Sequence, residues 1–147
     1  MKENYFYYSW EEFNQDVFIL NKRIFEINFF PDLIVGVKRG GLVPAVSLSH
    51  LLKKPMELID CQLRDGYKNP EFLFECSRNK KILVVDDICD DGDTFSTINI
   101  LSNKLGYKNI AYCCIFYNIR QNFNVNIWAR KIDRYKDKSW IVFPWEL

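Results

Sequence analysis

The sequence contains no apolar run approaching the ~18 residues that cross a bilayer, which excludes a membrane-spanning helix. Its first residues, MKENYFYYSWEE, lack the apolar core and small-residue cleavage site of a secretory signal. Surplus charge is also missing. The net charge is +1, so no global field draws in nucleic acid or an anionic membrane, and any anionic ligand needs a local site. The five cysteines (Cys61, Cys76, Cys89, Cys113 and Cys114) are odd in number and form no C-x-x-C pair. They read as reduced, buried small residues rather than disulfides or zinc ligands, and a cytoplasmic location is expected. Neither G-x-x-x-x-G-K-S/T nor G-x-G-x-x-G occurs, which removes the P-loop and the dinucleotide fingerprint. The single histidine, His50, lies in an apolar helical run and reads as a packed residue. With no internal repeat or low-complexity linker, 147 residues fit one domain over 1–147.

What is present is an alternation of short apolar runs and helical patterns. Ser9 and Glu12 form an S-x-x-E capping box. After it Trp10, Phe13, Val17, Leu20, Ile24 and Ile27 recur on one helical face. Asp32 to Val37 is continuously apolar after Pro31, as suits a strand buried on both faces, and Leu42 to Leu52 reads as a helix. Pro55 to Leu63 reads as a strand, Arg64 to Lys80 as a loop with hairpin character, and KILVVDD as another strand. A helix over Phe95 to Leu105, ended by Gly106, and a strand over Asn109 to Tyr117 follow. The aromatic remainder from Asn118 reads as irregular. Buried strands alternating with helices predict an α/β fold with a mostly parallel, doubly wound sheet, which binds ligands at the carboxyl ends of its strands.

Two of those ends carry chemistry. The first strand is followed by Lys38, Arg39, Gly40 and Gly41, which alone is no more than a strand-to-helix turn. The third leads into five aspartates within eight residues, DDICDDGD, from Asp86 to Asp93. An EF-hand register fails, because it puts Cys89 and Ile98 at ligand positions. Helix capping accounts for Asp93 and Thr94 but not for the Asp86–Asp87 pair. The pair can accept hydrogen bonds from a sugar diol or approach a hydrated divalent cation. Asp91, Gly92, Asp93 and Thr94 open a helix, where backbone amides form an anion-binding concavity.

The run ILVVDDICDDGDTF resembles the phosphoribosyl-pyrophosphate (PRPP) motif of type I phosphoribosyltransferases. VGVKRGGLVPA resembles that family's pyrophosphate loop, and SWIVFPWEL resembles the C-terminal hood of its bacterial xanthine–guanine (6-oxopurine) members. The resemblance spans about Pro31 to Leu147 and implies the fold of that family, with a small hood formed mainly by about 118–147. It implies transfer of phosphoribosyl from PRPP to guanine, xanthine or hypoxanthine with magnesium, in a homodimer or homotetramer. Carried over by motif, Asp86 and Asp87 hold the ribose and the magnesium, and Asp90 is the general base. Asp91 to Thr94 hold the 5′-phosphate. Lys38, Arg39, Gly40, Gly41 and a loop residue, Arg64 or Lys68, hold pyrophosphate. Trp140 stacks on the base and the backbone at Ile141 reads its edge.

The sequence departs from the family pattern at three points. Asp91 and Asp93 are acids in a phosphate loop, and Asn118 stands where a lysine reads the purine oxo group, with Arg120 near enough to replace it. Two alternatives remain open at this level. One is a regulator of the same fold that binds nucleotide and RNA; the other is a transferase for a non-purine acceptor.

Overall fold

The structure, a computed structural model, describes residues 3–61 and 76–147. Arg64 and Lys68 lie outside the described residues. Helix α1 (Trp10–Glu26) starts at the expected capping box, where Ser9 Oγ accepts the Glu12 N–H at 3.1 Å and Glu12 Oε2 accepts the Ser9 N–H at 2.9 Å. Its buried stripe is Phe13, Asp16, Val17, Leu20 and Ile24, while Ile27 lies beyond the helix and is exposed.

Five parallel strands form the main sheet: β2 (Leu33–Lys38), β3 (Met56–Asp60), β4 (Ile82–Cys89), β5 (Ile110–Asn118) and β6 (Ile127–Ile132), in the order β3-β2-β4-β5-β6. Helices α2 (Leu42–Leu52) and α3 (Asp93–Lys104) follow β2 and β4. The α/β class and parallel sheet expected from the sequence are therefore present.

Strand alternation sends successive apolar side chains to two separate cores. Ile34, Leu83, Val85, Ala111, Cys113 and Ile115 meet α1 and α2 residues such as Leu20, Ile24 and Leu48. Leu33, Val35, Val37, Ile82, Val84, Tyr112 and Cys114 meet Phe95 and Ile98 of α3. Cys113 and Cys114 thus face opposite layers, and all five cysteines are free. No helix among the described residues is long and apolar enough to cross a membrane.

Three strands correct the sequence reading. β1 (Tyr5–Tyr7) pairs in parallel with β7 (Trp140–Val142), joining distant parts of the chain in a two-stranded sheet. β6 lies within the segment expected to be irregular. It is an edge strand whose partly exposed pattern includes Arg130 and Lys131, so it shows neither a continuous apolar run nor clean alternation.

This second layer closes over the sheet through aromatic packing. Tyr8 meets Phe116 edge-on at 5.2 Å and Phe143 at 5.7 Å, and Phe143 stacks on Trp145 at 4.9 Å. A buried polar knot sits under these rings. The Asp16 carboxylate, 2% exposed, accepts from the Tyr8 hydroxyl at 2.6 Å and from Arg130 Nε at 2.7 Å; Arg130 Nη1 also reaches Glu12 at 3.0 Å. Burial and the Asp16 hydrogen bond push the Tyr8 hydroxyl pKa well above its usual value.

Removing one partner of such a pair strands a buried charge, which is worse than never having had the pair. Arg130→Met is expected to lower unfolding stability in urea by about 3 kcal/mol, whereas Lys22→Met, at a surface pair, should stay within about 0.5 kcal/mol.

Candidate active site

The β2–α2 and β4–α3 connections emerge side by side, because β2 and β4 are neighbours in the sheet. They touch. A side chain at Gly40 would run into the Asp87 carboxylate, and one at Gly41 would meet the Val85 and Val37 carbonyls. Only glycine permits this approach. The Gly41 N–H turns inward to Val37 O at 2.8 Å, so this amide is already committed within the turn. Arg39 is exposed at the tip and Lys38 is half-buried, with a cis peptide between them.

Asp86 and Asp87 leave β4 as a stepped pair. Asp86 Oδ1 accepts the Asp87 N–H at 2.9 Å, and Asp87 Oδ1 accepts the Ile88 N–H at 2.7 Å. Asp87 is 9% exposed, and burial is the main reason its pKa rises to about 6. Next to it, burial and the nearby carboxylates push the Cys89 thiol up to about 12, which removes it as a nucleophile.

The phosphate-loop acids have defined directions. Asp91 Oδ1 accepts the Asp93 N–H at 2.9 Å, so this exposed acid turns onto its own loop. Asp93, also exposed, is the first residue of α3, where a negative charge suits the helix dipole. Gly92 caps the helix at φ 85, a left-handed conformation that glycine adopts without strain. Thr94 is half-buried in the first turn. Gln121, from the turn after β5, lies over Gly92 and holds the Phe123 carbonyl at 2.7 Å.

A cleft of about 430 Å³ opens beside this loop, lined by Asp90, Asp91, Asn118, Arg120, Gln121, Asn122 and Arg134. Asp90 is held from both sides. Arg134 Nε meets its Oδ1 at 3.0 Å and Arg134 Nη2 meets its Oδ2 at 3.2 Å, while Asn118 Nδ2 donates to its backbone carbonyl at 2.8 Å. The Asn118 carbonyl accepts the Arg120 N–H at 3.1 Å. Asn118, expected at the base, therefore lines the cleft while its amide anchors the Asp90 turn. Arg120, the expected substitute cation, is bound by Asp133 at 2.8 and 2.7 Å, and its guanidinium holds the Asp133 carboxyl down at about 2.

Trp140 and Ile141 stand apart from the cleft lining. Trp140 is 54% exposed, and the Ile141 side chain is buried in the core. The Trp140 N–H donates to Asn4 O at 2.8 Å, and Val142 O accepts from the Tyr8 N–H at 3.0 Å. Strand periodicity then turns the Ile141 N–H and C=O to the opposite edge, away from β1. Arg134 Nη1 donates to Ser139 O at 2.6 Å, tying this strand to Asp90.

Sequence reasoning missed Arg134, Ser139, Gln121 and Asp133. No motif marks them, and the only signal was an unassigned run of charge from Arg130 to Lys138.

The raised Asp87 pKa has a sign that can be tested. The folded protein holds this proton more tightly than the unfolded chain, so the associated stability is complete below about pH 4 and is lost as pH rises through about 6. Asp87→Asn retains the acceptor for Ile88. It is expected to melt at a higher temperature than the wild type at pH 7.5 without ligands, with the gap closing near pH 4 in paired thermal melts.

Against known proteins, the chain matches the model of the phosphoribosyl transferase domain over residues 7–147. It is 25% identical over 151 residues to a xanthine-guanine phosphoribosyltransferase of Idiomarina loihiensis, covering 97% of this chain and 87% of that one. Among solved structures it is similar to a purine phosphoribosyltransferase from Pyrococcus horikoshii, with a TM-score of 0.81 and 32% identity over 97% and 94% of the two chains. The Helicobacter pylori xanthine-guanine-hypoxanthine phosphoribosyltransferase shares the fold, with a TM-score of 0.82 at 24% identity over 98% and 95%. Two strand-to-helix turns in contact, an acid pair on β4 and a match over nearly the whole length lead to one assignment: the chain belongs to the phosphoribosyl transferase domain family.

Proposed function

We propose that the protein transfers the phosphoribosyl group of PRPP to a 6-oxopurine, releasing pyrophosphate and forming a nucleoside monophosphate. The observation that carries this reading is the contact between Gly40 and Asp87. It brings a glycine loop suited to pyrophosphate against an acid pair suited to ribose, with Asp90 one turn away beside a cleft large enough for a base. The purine class is supported by the Pyrococcus and Idiomarina relatives, whose names specify purine and xanthine-guanine.

In this reading a ring nitrogen of the base attacks the anomeric carbon. The bond from that carbon to the pyrophosphate oxygen breaks, and its electron pair departs with pyrophosphate. The proton displaced from the base passes to the Asp90 carboxylate. Positive charge grows on the sugar as the bond breaks, and the Asp86 and Asp87 carboxylates stabilise it. The Ile141 backbone edge, turned away from β1, offers one donor and one acceptor to the base, and Trp140 offers a ring for stacking.

The acid pair fits magnesium. Asp86 and Asp87 are adjacent at the end of β4, and magnesium combines one or two carboxylates with water and substrate phosphates. Bound there by Asp86 and Asp87, it would neutralise charge on the departing pyrophosphate.

The Asp91 carboxylate occupies an amide that faces the proposed 5′-phosphate and adds a like charge beside it. Asp91→Thr is expected to lower the PRPP KM by about fivefold with kcat little changed. Asp90→Asn should cut kcat about 100-fold while PRPP binding by calorimetry holds. The assay is product mass spectrometry with PRPP, magnesium and guanine, xanthine, hypoxanthine or adenine. PRPP binding without consumption of any base refutes the transferase reading.

A further inference from the structure

We infer that Arg134 selects the base, admitting purines with a ring oxo group and refusing those with an amino group in its place; this rests on the transferase reading above. Arg134 lies just beyond β6, and its side chain is 21% exposed. It is fixed by the two Asp90 oxygens at 3.0 and 3.2 Å and by Ser139 O at 2.6 Å. Three of the five guanidinium N–H groups are used by these bonds, so two remain for a ligand in the cleft that Arg134 lines. Its planar fork is pre-organised, so little further entropy is lost when it meets a substrate acceptor.

Arg120 and Asn118, which also line the cleft, are less suited. The Arg120 side chain is 42% exposed, held twice by Asp133, with its guanidinium 4.7 Å from the Tyr135 ring. The Asn118 amide holds the Asp90 carbonyl. The Ile141 edge presents both a donor and an acceptor, so it suits oxo and amino groups alike. A guanidinium has no acceptor at all. An oxo oxygen receives its hydrogen bond, whereas an amino group sets donor against donor and leaves both buried groups unpaired.

The same guanidinium orients Asp90. It grips one lone pair on each carboxylate oxygen, and the remaining lone pairs can still accept the proton of the attacking base. Arg134 is thus a positioning residue for Asp90 as well as the discriminating donor. Charge and hydrogen bonds reach the base and the proton acceptor from one rigid side chain.

The test compares wild type with Arg134→Met and Arg134→Lys. It reads kcat and KM for hypoxanthine, the Ki of adenine as a competitor of hypoxanthine, and PRPP affinity by calorimetry. Arg134→Met is expected to raise the hypoxanthine KM about 30-fold and to leave or lower the adenine Ki, with PRPP affinity unchanged. Arg134→Lys, which keeps a charged donor, should shift the ratio of the two by less. A loss shared equally by hypoxanthine and adenine shows a merely structural ion pair and overturns the inference. If Arg134→Met no longer binds PRPP, the lysine variant decides, and an unchanged ratio there overturns it too. Wild type that consumes no purine removes the transferase reading and this inference together. Wild type that consumes hypoxanthine while the variants keep its ratio to adenine removes the Arg134 assignment alone.

Discussion

The site depends on how closely the β2–α2 turn can lie against the end of β4. With side chains at Gly40 and Gly41, the Asp87 carboxylate and the Val85 carbonyl would force the two turns apart. The crevice between strands that diverge to opposite layers is where such sheets bind ligands, and here the glycines set its width. Asp87 has a mixed existence as a result. It lies against the glycine turn, yet is buried enough that its charge is unfavourable.

The β6 side of the molecule is organised differently. It depends on a few long-range contacts rather than on a continuous sheet. Two arginines on or just after β6 reach carboxylates in two different places: Arg130 to Asp16 in α1, and Arg134 to Asp90 at the head of α3. Each is bidentate or shared, so each fixes an orientation as well as a distance. Between them they orient the edge of the main sheet against the helix beneath it and the Asp90 turn beside it.

Much of this could be read in the chain because it is local. The capping box at Ser9, the apolar runs of β2, β4 and β5, and the spacing from Asp86 to Thr94 each state their structure within a few residues. What escaped reading is pairwise and distant. β1 and β7 have three residues each, and the β1 residues are all exposed, so neither looks like a strand until it meets the other. Arg134 and Asp90 are separated by the whole of α3, β5 and β6. Nothing local distinguishes Arg134 from the surface charges around it. The directions of Asp91 and Asp93 were likewise illegible, since a carboxylate that caps its own loop has the same sequence as one that faces a phosphate.

The β1–β7 pairing sets the order in which the parts can come together. A chain that has emerged from the ribosome through β5 already holds the β2–α2 and β4–α3 turns, the acid pair and Asp90, together with the strands that carry them. At that point β1 has no strand to join, and the Tyr8 ring lacks Phe143. The β2–β4 and β4–β5 pairings join nearer parts of the chain. The β1–β7 pairing closes a loop almost as long as the domain and carries the entropy of that closure. The two-stranded layer is therefore complete only when nearly the whole chain is available.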